Sequence, residues 1–548
     1  MRLPPTSWLI GFMLACLWPA WSTAADIINS ADGTAGQALY RRGELPSGAT
    51  LRGEREGGVS VEGMAAACIT CHRGSGLGTS EGRIVVPPII GKYLFRAHST
   101  NVQDMSMPHV VGVRTTREPY TDESLARAIR EGVAPNGRTL NFLMPRYALD
   151  DPAMASLTRY LKELSSGDVP GVDEGVLHFA TIITPDADPI ERQGMLDVMQ
   201  HFIDDKNAFI RGGIKPMHAT REIEYRVSRR WQLHVWELTG SSDRWEEQLR
   251  AHLAAEPVYA VISGLGGANW APVHHFCQAA QLPCLFPNVS LPVVAEGDFY
   301  PVYLSRGVLL EADLMAGRIV GRHKTPGLKR VLQVYRRGDI GEEAARALAT
   351  QLGALGIRVE HRALPQDKGN RAELSAALKG LGRDDTLMLW LRPADLAMLP
   401  QQASGASVVM VSGLMGGLEH APLPAALRSA ALMTYPADLP DLRKIRMNFP
   451  LSWFKIRHVP VVAEHVQTDT YVSLGILAET LTDMLDSFVR DYLVERVEVM
   501  LSHRLTNGYY PRLSLAPGQR FASKGGYVVH FVGPTGTAVA ADGDWTVP

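Results

Sequence analysis

From about residue 176 onward, short apolar runs alternate with amphipathic stretches. Leu177 to Ile183, Tyr259 to Ser263, Pro283 to Phe286, Val331 to Tyr335, Thr386 to Leu391 and Val408 to Val411 read as buried strands. Trp245 to Ala254, Gly341 to Leu355 and Ala372 to Leu381 read as the helices between them. Alternation of this kind predicts parallel sheets covered on both faces, and the region is long enough for two such lobes. Near the C-terminus the pattern predicts two longer helices, Asp469 to Leu485 and Val489 to Leu501, and then strands over Tyr509 to Phe531.

The N-terminal part has a different pattern. Residues from about 30 to 165 read as a small helical unit with long loops. Gly36 to Tyr40 opens a short helix, and the polar, glycine-rich stretch Gly43 to Gly63 reads as a loop. Thr121-Asp122-Glu123 predicts an N-cap with acidic first-turn residues, starting a helix through Leu125, Ile129 and Val133. A last helix is predicted from Asp151 to Leu164, with Met154, Leu157, Tyr160 and Leu161 on one face. Ser165 to Gly171 is polar and rich in Ser, Gly and Pro, and reads as the linker. The organisation expected is a leader over 1–25, a helical domain over 26–166 and an α/β domain over 172–536.

Arg2, the apolar run Trp8 to Trp18 and the small residues Ser22 to Ala25 have the layout of a cleaved secretory signal. The run is shorter than the ~20 apolar residues that cross a bilayer, and no later segment reaches that length. Export to the periplasm is expected, without a transmembrane segment. Cys16 raises a lipoprotein alternative, but Leu14 is bulky where a lipobox prefers a small residue. A chain of 548 residues with net charge −2 predicts two or three domains and gives no reason to expect nucleic acid as partner.

Of five cysteines, two stand in Cys68-Ile69-Thr70-Cys71-His72. C-x-x-C-H is the attachment pattern of haem c: two thiols one helical turn apart form thioethers to the haem vinyl groups, and the following histidine binds the iron. A redox dithiol or half a zinc site shares the C-x-x-C spacing, but no second C-x-x-C exists to complete a zinc site. Cys277 and Cys284 lie close together in a chain bound for an oxidising compartment, which predicts a disulfide, with two buried thiols as the other reading.

The N-terminal unit resembles class I cytochromes c over residues 34–164. It has a first helix with a Gly and an aromatic, then CxxCH, a proline-containing loop at Pro87-Pro88, a helix, the Met144-Pro145 dipeptide and a terminal helix. The resemblance implies an all-α domain with one haem c, His72 and Met144 as axial ligands, and the carbonyl of Pro87 or Pro88 on the second nitrogen of His72. Met105, Met107, His98 and His109 are the competing ligands. With both axial positions filled, the iron suits single-electron transfer to a periplasmic redox partner rather than enzymatic bond chemistry.

The C-terminal region resembles type I periplasmic binding proteins, the group of leucine/isoleucine/valine receptors, over about residues 174–535. The resemblance rests on Val258 to Gly264, on Leu282 to Pro287, and on Arg330 to Tyr335 leading through Gly338 to Gly341 into a helix. It implies a two-lobed α/β fold with a small organic ligand between the lobes, where free N–H groups can hold a carboxylate. By position, Ser263, the Gly264 to Asn269 loop, Ser290, Arg306 and Ser412 are the candidate contacts; the bland alternative for each is a cap or turn. An acidic and aromatic pair to cage an ammonium group is not evident in the sequence. Two functions follow: an electron carrier with an appended binding or docking domain, or a solute receptor with an accessory cytochrome domain.

Overall fold

A computed structural model describes residues 34–81, 84–96, 118–211, 229–321, 330–366, 370–401, 405–406, 408–485, 487–503 and 508–548. The export segment, Cys16 and the competing ligands His98, Met105, Met107 and His109 lie outside these residues. The described chain forms two compact units, one ending at Ser166 and the other beginning at Gly167.

In the first unit, helix 34–42 turns Gly36, Leu39 and Tyr40 inward. A Cβ at Gly36 would fall 2.2 Å from the Ser156 carbonyl oxygen, so this helix crosses the last one, Asp151–Glu163, with backbones in contact. Tyr40 and Tyr160 pack beside the crossing with their rings tilted by 50° and centroids 5.3 Å apart. Helix Asp122–Glu131 starts in a capping box formed by Thr121 and Ser124 and stops at Gly132 in the left-handed region, as its end sequences dictate. Asp150 caps the last helix by accepting from Ala153 N–H.

This unit is not purely helical, which corrects the all-α expectation. The stretch read as a loop folds into a hairpin of β1 (Arg52–Arg55) and β2 (Val59–Glu62), turning on Gly57 and Gly58 at positive φ. β3 (Thr79–Glu81) pairs with β4 (Ile84–Val86), and β5 (Arg146–Tyr147) adds to β1. The glycines that suggested a loop make the turn, and the β-branched Val59 and Val61 supply the strand.

The second unit holds two sheets. The strands of the first are β6 (Val176–Ile183), β7 (Arg230–Glu237), β8 (Ala260–Ile262), β9 (Cys284–Leu285) and β10 (Pro301–Val302), in the order β10-β9-β8-β6-β7, all parallel. The second contains β11 (Arg330–Arg336), β12 (Val359–Leu364), β13 (Asp385–Trp390), β14 (Val408–Val411), β15 (Ala431–Tyr435), β16 (Tyr527–Phe531) and β17 (Val539–Ala541). Its order is β12-β11-β13-β14-β15-β16-β17, parallel through β15 and antiparallel thereafter. Each sheet therefore starts one place in from an edge, adds its second strand at that edge and its third on the other side. The point of reversal lies between β6 and β8 in one lobe and between β11 and β13 in the other.

Continuous burial explains the strands: all six residues of β13 are buried, as a sheet covered on both faces requires. The chain crosses between lobes more than once. After β15, helices Pro440–Ile456, Glu464–Met484 and Arg490–His503 return to the first lobe, where Tyr259 Oη donates to Val489 O and Arg490 to Val258 O. β16 and β17 then go back to the second sheet. Between Tyr509 and Gly526 there are no strands; the strand expected over Tyr509 to Phe531 begins at Tyr527.

Candidate functional site

In the first unit the Cys68-to-His72 turn is a short helix, Ile69–His72, with His72 buried and the two cysteines partly exposed. His72 Nδ1 lies 3.0 Å from Pro87 O. A carbonyl only accepts, so Nδ1 carries the proton and Nε2 keeps its lone pair. Burial lowers the His72 pKa to about 4, against the smaller opposing effect of the Pro87 bond, which keeps the ring neutral as a metal ligand must be. Burial likewise pushes Cys68 up to about 12. Met144 is partly buried, with its amide on Asn141 O at 3.0 Å. Tyr147, three residues on, donates to Ala66 O at 2.8 Å, two residues before Cys68. That bond ties the Met144 loop to the cysteine turn. Two sulfurs on one turn, a neutral imidazole with its outer nitrogen fixed and a tethered methionine loop fit the donor set of a haem c.

In the second unit the two strand-order reversals mark a candidate site, because ligands of open α/β sheets bind outside the carboxyl ends of the strands at such points. On the first lobe, Thr184 and Asp186 follow β6, and Gly264 to Ala268 follow β8. The Asp186 carboxylate accepts from Thr184 Oγ1 at 2.5 Å and from Ala268 N–H at 2.8 Å. A Cβ at Gly267 would sit 2.3 Å from that carboxylate, so a larger residue there would displace the Asp186 side chain. Burial alone would raise the Asp186 pKa; the Thr184, Ala268 and Gly267 bonds outweigh it and hold it below the usual range.

On the second lobe, Asp339 follows β11 and Arg392 follows β13. Arg392 makes a bidentate pair with Asp339, Nε to Oδ2 at 2.8 Å and Nη2 to Oδ1 at 2.7 Å, while Asp339 also caps helix Ile340–Ala354. The hydrogen bonds that Arg392 donates to Asp339 raise its pKa, and the charges of Glu191 and Asp186 on the other lobe add to the rise. Burial raises the Glu191 pKa, Asp188 adds to this, and His465 and Arg392 pull it back. Arg392 and Glu191 thus sense each other across the lobes. On helix Glu464–Met484, Thr468 Oγ1 is buried with no hydrogen bond among the described residues, His465 Nε2 lies 3.4 Å from Asp469 Oδ2, and Tyr510 Oη donates to Asp469 at 3.0 Å.

Of the expected contacts, the Gly264 to Ala268 part of the loop lies at this strand end, and the remaining residues are placed as follows. Ser263 is fully buried, with φ +52°, and its Oγ bonds Thr470 Oγ1 and Asn288 Nδ2 at 3.0 Å each. Asn269 is exposed and accepts from Ala271 N–H at 3.1 Å. Ser290 accepts Val308 N–H on its carbonyl at 2.8 Å. Arg306 pairs with Asp313 at 2.6 Å. Ser412 is buried, caps helix Gly413–Gly416 and donates to the buried Glu311. Each is engaged locally, and a capping or turn role accounts for the bonds of Asn269 and Ser412. Asp186, Glu191, Arg392 and His465 were missed because they are brought together by the fold from segments far apart in sequence. Cys277 and Cys284 stand as two buried thiols in contact, so the expected disulfide is not formed in this structure; burial first, then the Cys284 sulfur, pushes the Cys277 thiol well up.

The chain is similar in structure to a fatty acid ABC transporter substrate-binding protein from Thermomonospora curvata, at 14% identity and TM-score 0.50, covering 70% of this chain and 95% of that one. The leucine binding protein LivK from Thermotoga maritima matches at 15% identity and TM-score 0.47, covering 67% and 98%. A substrate-binding periplasmic protein from Ralstonia solanacearum matches at 14% and 0.49, covering 67% and 100%. The second unit has the two-lobed α/β fold of type I periplasmic binding proteins. No family model and no curated protein matches the chain. Among the described residues, no helix is long and apolar enough to cross a membrane.

Proposed function

We propose that this chain is an extracytoplasmic solute-binding protein of the ABC-transporter type whose N-terminal unit carries one haem c as an accessory electron-transfer group. The observation that carries the receptor reading is the pair of strand-order reversals, one per lobe, with Arg392 at one and Asp186 and Glu191 at the other, close enough for their charges to influence one another. The ligand is a small organic acid with an amino or hydroxyl group: its carboxylate meets the exposed Arg392, and its donor meets Glu191 and Asp186. Asp186 already takes the N–H of Ala268, so the ligand's carboxylate belongs on the second lobe.

Calorimetry across amino acids, hydroxy acids, plain carboxylates and alcohols tests this. An amino or hydroxy acid is expected to bind, and Arg392→Ala to weaken it at least tenfold. Absence of binding throughout, or an affinity indifferent to Arg392→Ala, overturns the reading.

Cys68 and Cys71 would hold the haem through thioethers, with His72 Nε2 and Met144 as its further ligands, and it would supply one-electron chemistry there. The Pro87 carbonyl fixes the His72 ring and its tautomer, and the bond from Tyr147 to Ala66 holds the Met144 loop to the cysteine turn. These support a second reading, an electron carrier whose lobed domain docks a redox partner. That reading gains if reduced chain donates electrons at a rate untouched by any cleft ligand.

A further inference from the structure

His178 on β6 and His234 on β7 lie on one face of the first lobe's sheet, since His178 pairs with Gln232 and Ala180 with His234. His178 Nδ1 lies 3.0 Å from His234 Nε2. A carboxylate occupies the outer nitrogen of each ring. His178 Nε2 is 2.9 Å from Asp173, and His234 Nδ1 is 3.2 Å from Glu256 Oε1. The other Glu256 oxygen is held by Trp236 Nε1 at 3.0 Å.

An ionised carboxylate only accepts, so each outer nitrogen donates to it. A neutral imidazole has a single N–H, which leaves both facing nitrogens with lone pairs pointed into the same gap. Two lone pairs at 3.0 Å repel unless a cation lies between them. Histidines whose far nitrogen is bonded to a carboxylate are the arrangement in which imidazole binds metals, because that bond fixes the tautomer and raises the basicity of the ligating nitrogen. With metal–nitrogen bonds of about 2.0–2.1 Å, a separation near 3.0 Å subtends roughly a right angle, the cis angle of square-planar or octahedral coordination. The imidazoles are 18% and 12% exposed, so solvent ligands can complete the sphere.

We propose that His178 and His234 form a binding site for a divalent transition-metal ion, with Asp173 and Glu256 as orienting carboxylates and water in the remaining positions. Copper(II) is the tightest-binding occupant, by the general order of affinity for nitrogen ligands. Among the described residues no group of three or more His, Cys, Asp or Glu could hold a metal, so this is a two-ligand site, weaker than a closed one. It is independent of both the haem and the cleft.

Equilibrium dialysis of the full chain against copper(II), with electron paramagnetic resonance at one equivalent, tests the site. One copper per chain with two coordinated nitrogens is expected. His178→Ala should lose this copper, and Asp173→Asn, a change at an exposed side chain, should weaken it about 10–100-fold with the melting temperature unchanged. Equal copper binding by wild type and both variants, or no stoichiometric copper in the wild type, leaves the pair holding only a proton and overturns the proposal.

Discussion

His72 and Pro87 are joined through Nδ1 and the carbonyl oxygen at 3.0 Å, which leaves Nε2 of a neutral ring as the atom free to bind. Covalent haem is expected from that atom and the two neighbouring thiols. Haem staining after denaturing electrophoresis should be positive in cells that mature c-type haem, and Cys68→Ala or Cys71→Ala should reduce or abolish it. An unstained wild type whose mass lacks the haem increment rules the group out.

Met144 is expected to be the second axial ligand, since the Tyr147 bond to Ala66 fixes its loop against the cysteine turn. Met144→Ala should remove the weak far-red sulfur-to-iron band and let the reduced protein bind carbon monoxide. Ready carbon monoxide binding by the wild type would argue against a methionine ligand.

Gly36→Ala should destabilise the first unit by about 1–3 kcal/mol, the usual range for overpacking. A methyl there meets the Ser156 carbonyl at 2.2 Å and Tyr160 Cβ at 2.7 Å, and a gain of roughly 0.5–1 kcal/mol in helix propensity does not offset it. The denaturant midpoint of the first unit's transition reads the difference. An unchanged or raised midpoint would mean that the two helices do not cross at Gly36.

Glu311 is buried, and burial raises its pKa to about 7 against the bonds it accepts from Ser412, Thr434, Leu414 N–H and Gly413 N–H. A carboxyl whose folded pKa is raised binds its proton more tightly when folded. Its contribution is therefore full below the unfolded value near 4.5 and is lost as pH rises towards about 7, at no more than about 1.4 kcal/mol per pH unit. Melts between pH 4.5 and 7 should show a smaller fall for Glu311→Gln than for the wild type. Parallel profiles would show that Glu311 does not titrate there.

Cys277 and Cys284, in contact as thiols here, are expected to pair when the chain is exported. Alkylation of the unfolded, unreduced protein should leave both unlabelled, and reduction should lower stability by about 2 kcal/mol. Labelling of both sulfurs would keep them as a thiol pair.

How far the sequence disclosed the fold follows from how locally each signal is encoded. Continuous apolar runs marked β6, β11, β13 and β14 because a strand buried on both faces needs little else. β7 escaped notice because it is an edge strand, with Gln232 and Val235 exposed among buried Trp231 and Trp236. The hairpin of β1 and β2 was hidden by its own turn glycines. The haem motif is legible because its chemistry fixes neighbours five residues long. Asp186, Glu191 and Arg392 carry no comparable signal, since each is an ordinary charged residue until the lobes bring them together. Ser263 and Ser412 looked like contacts for the converse reason: both follow strand ends, yet their hydroxyls are spent on Thr470 and Glu311.

Neither lobe is continuous in sequence. The first is completed by helices Glu464–Met484 and Arg490–His503, and the second by β16 and β17. During synthesis or translocation, therefore, β6 to β10 are in place long before the helices that cover them, and the β11 to β15 sheet waits for the last few dozen residues. The first unit, whose elements all precede residue 167, has no such dependence. Truncation near the C-terminus should thus spare the N-terminal unit and leave both lobes exposed to proteolysis, because long-range pairings form only after the chain that makes them has emerged.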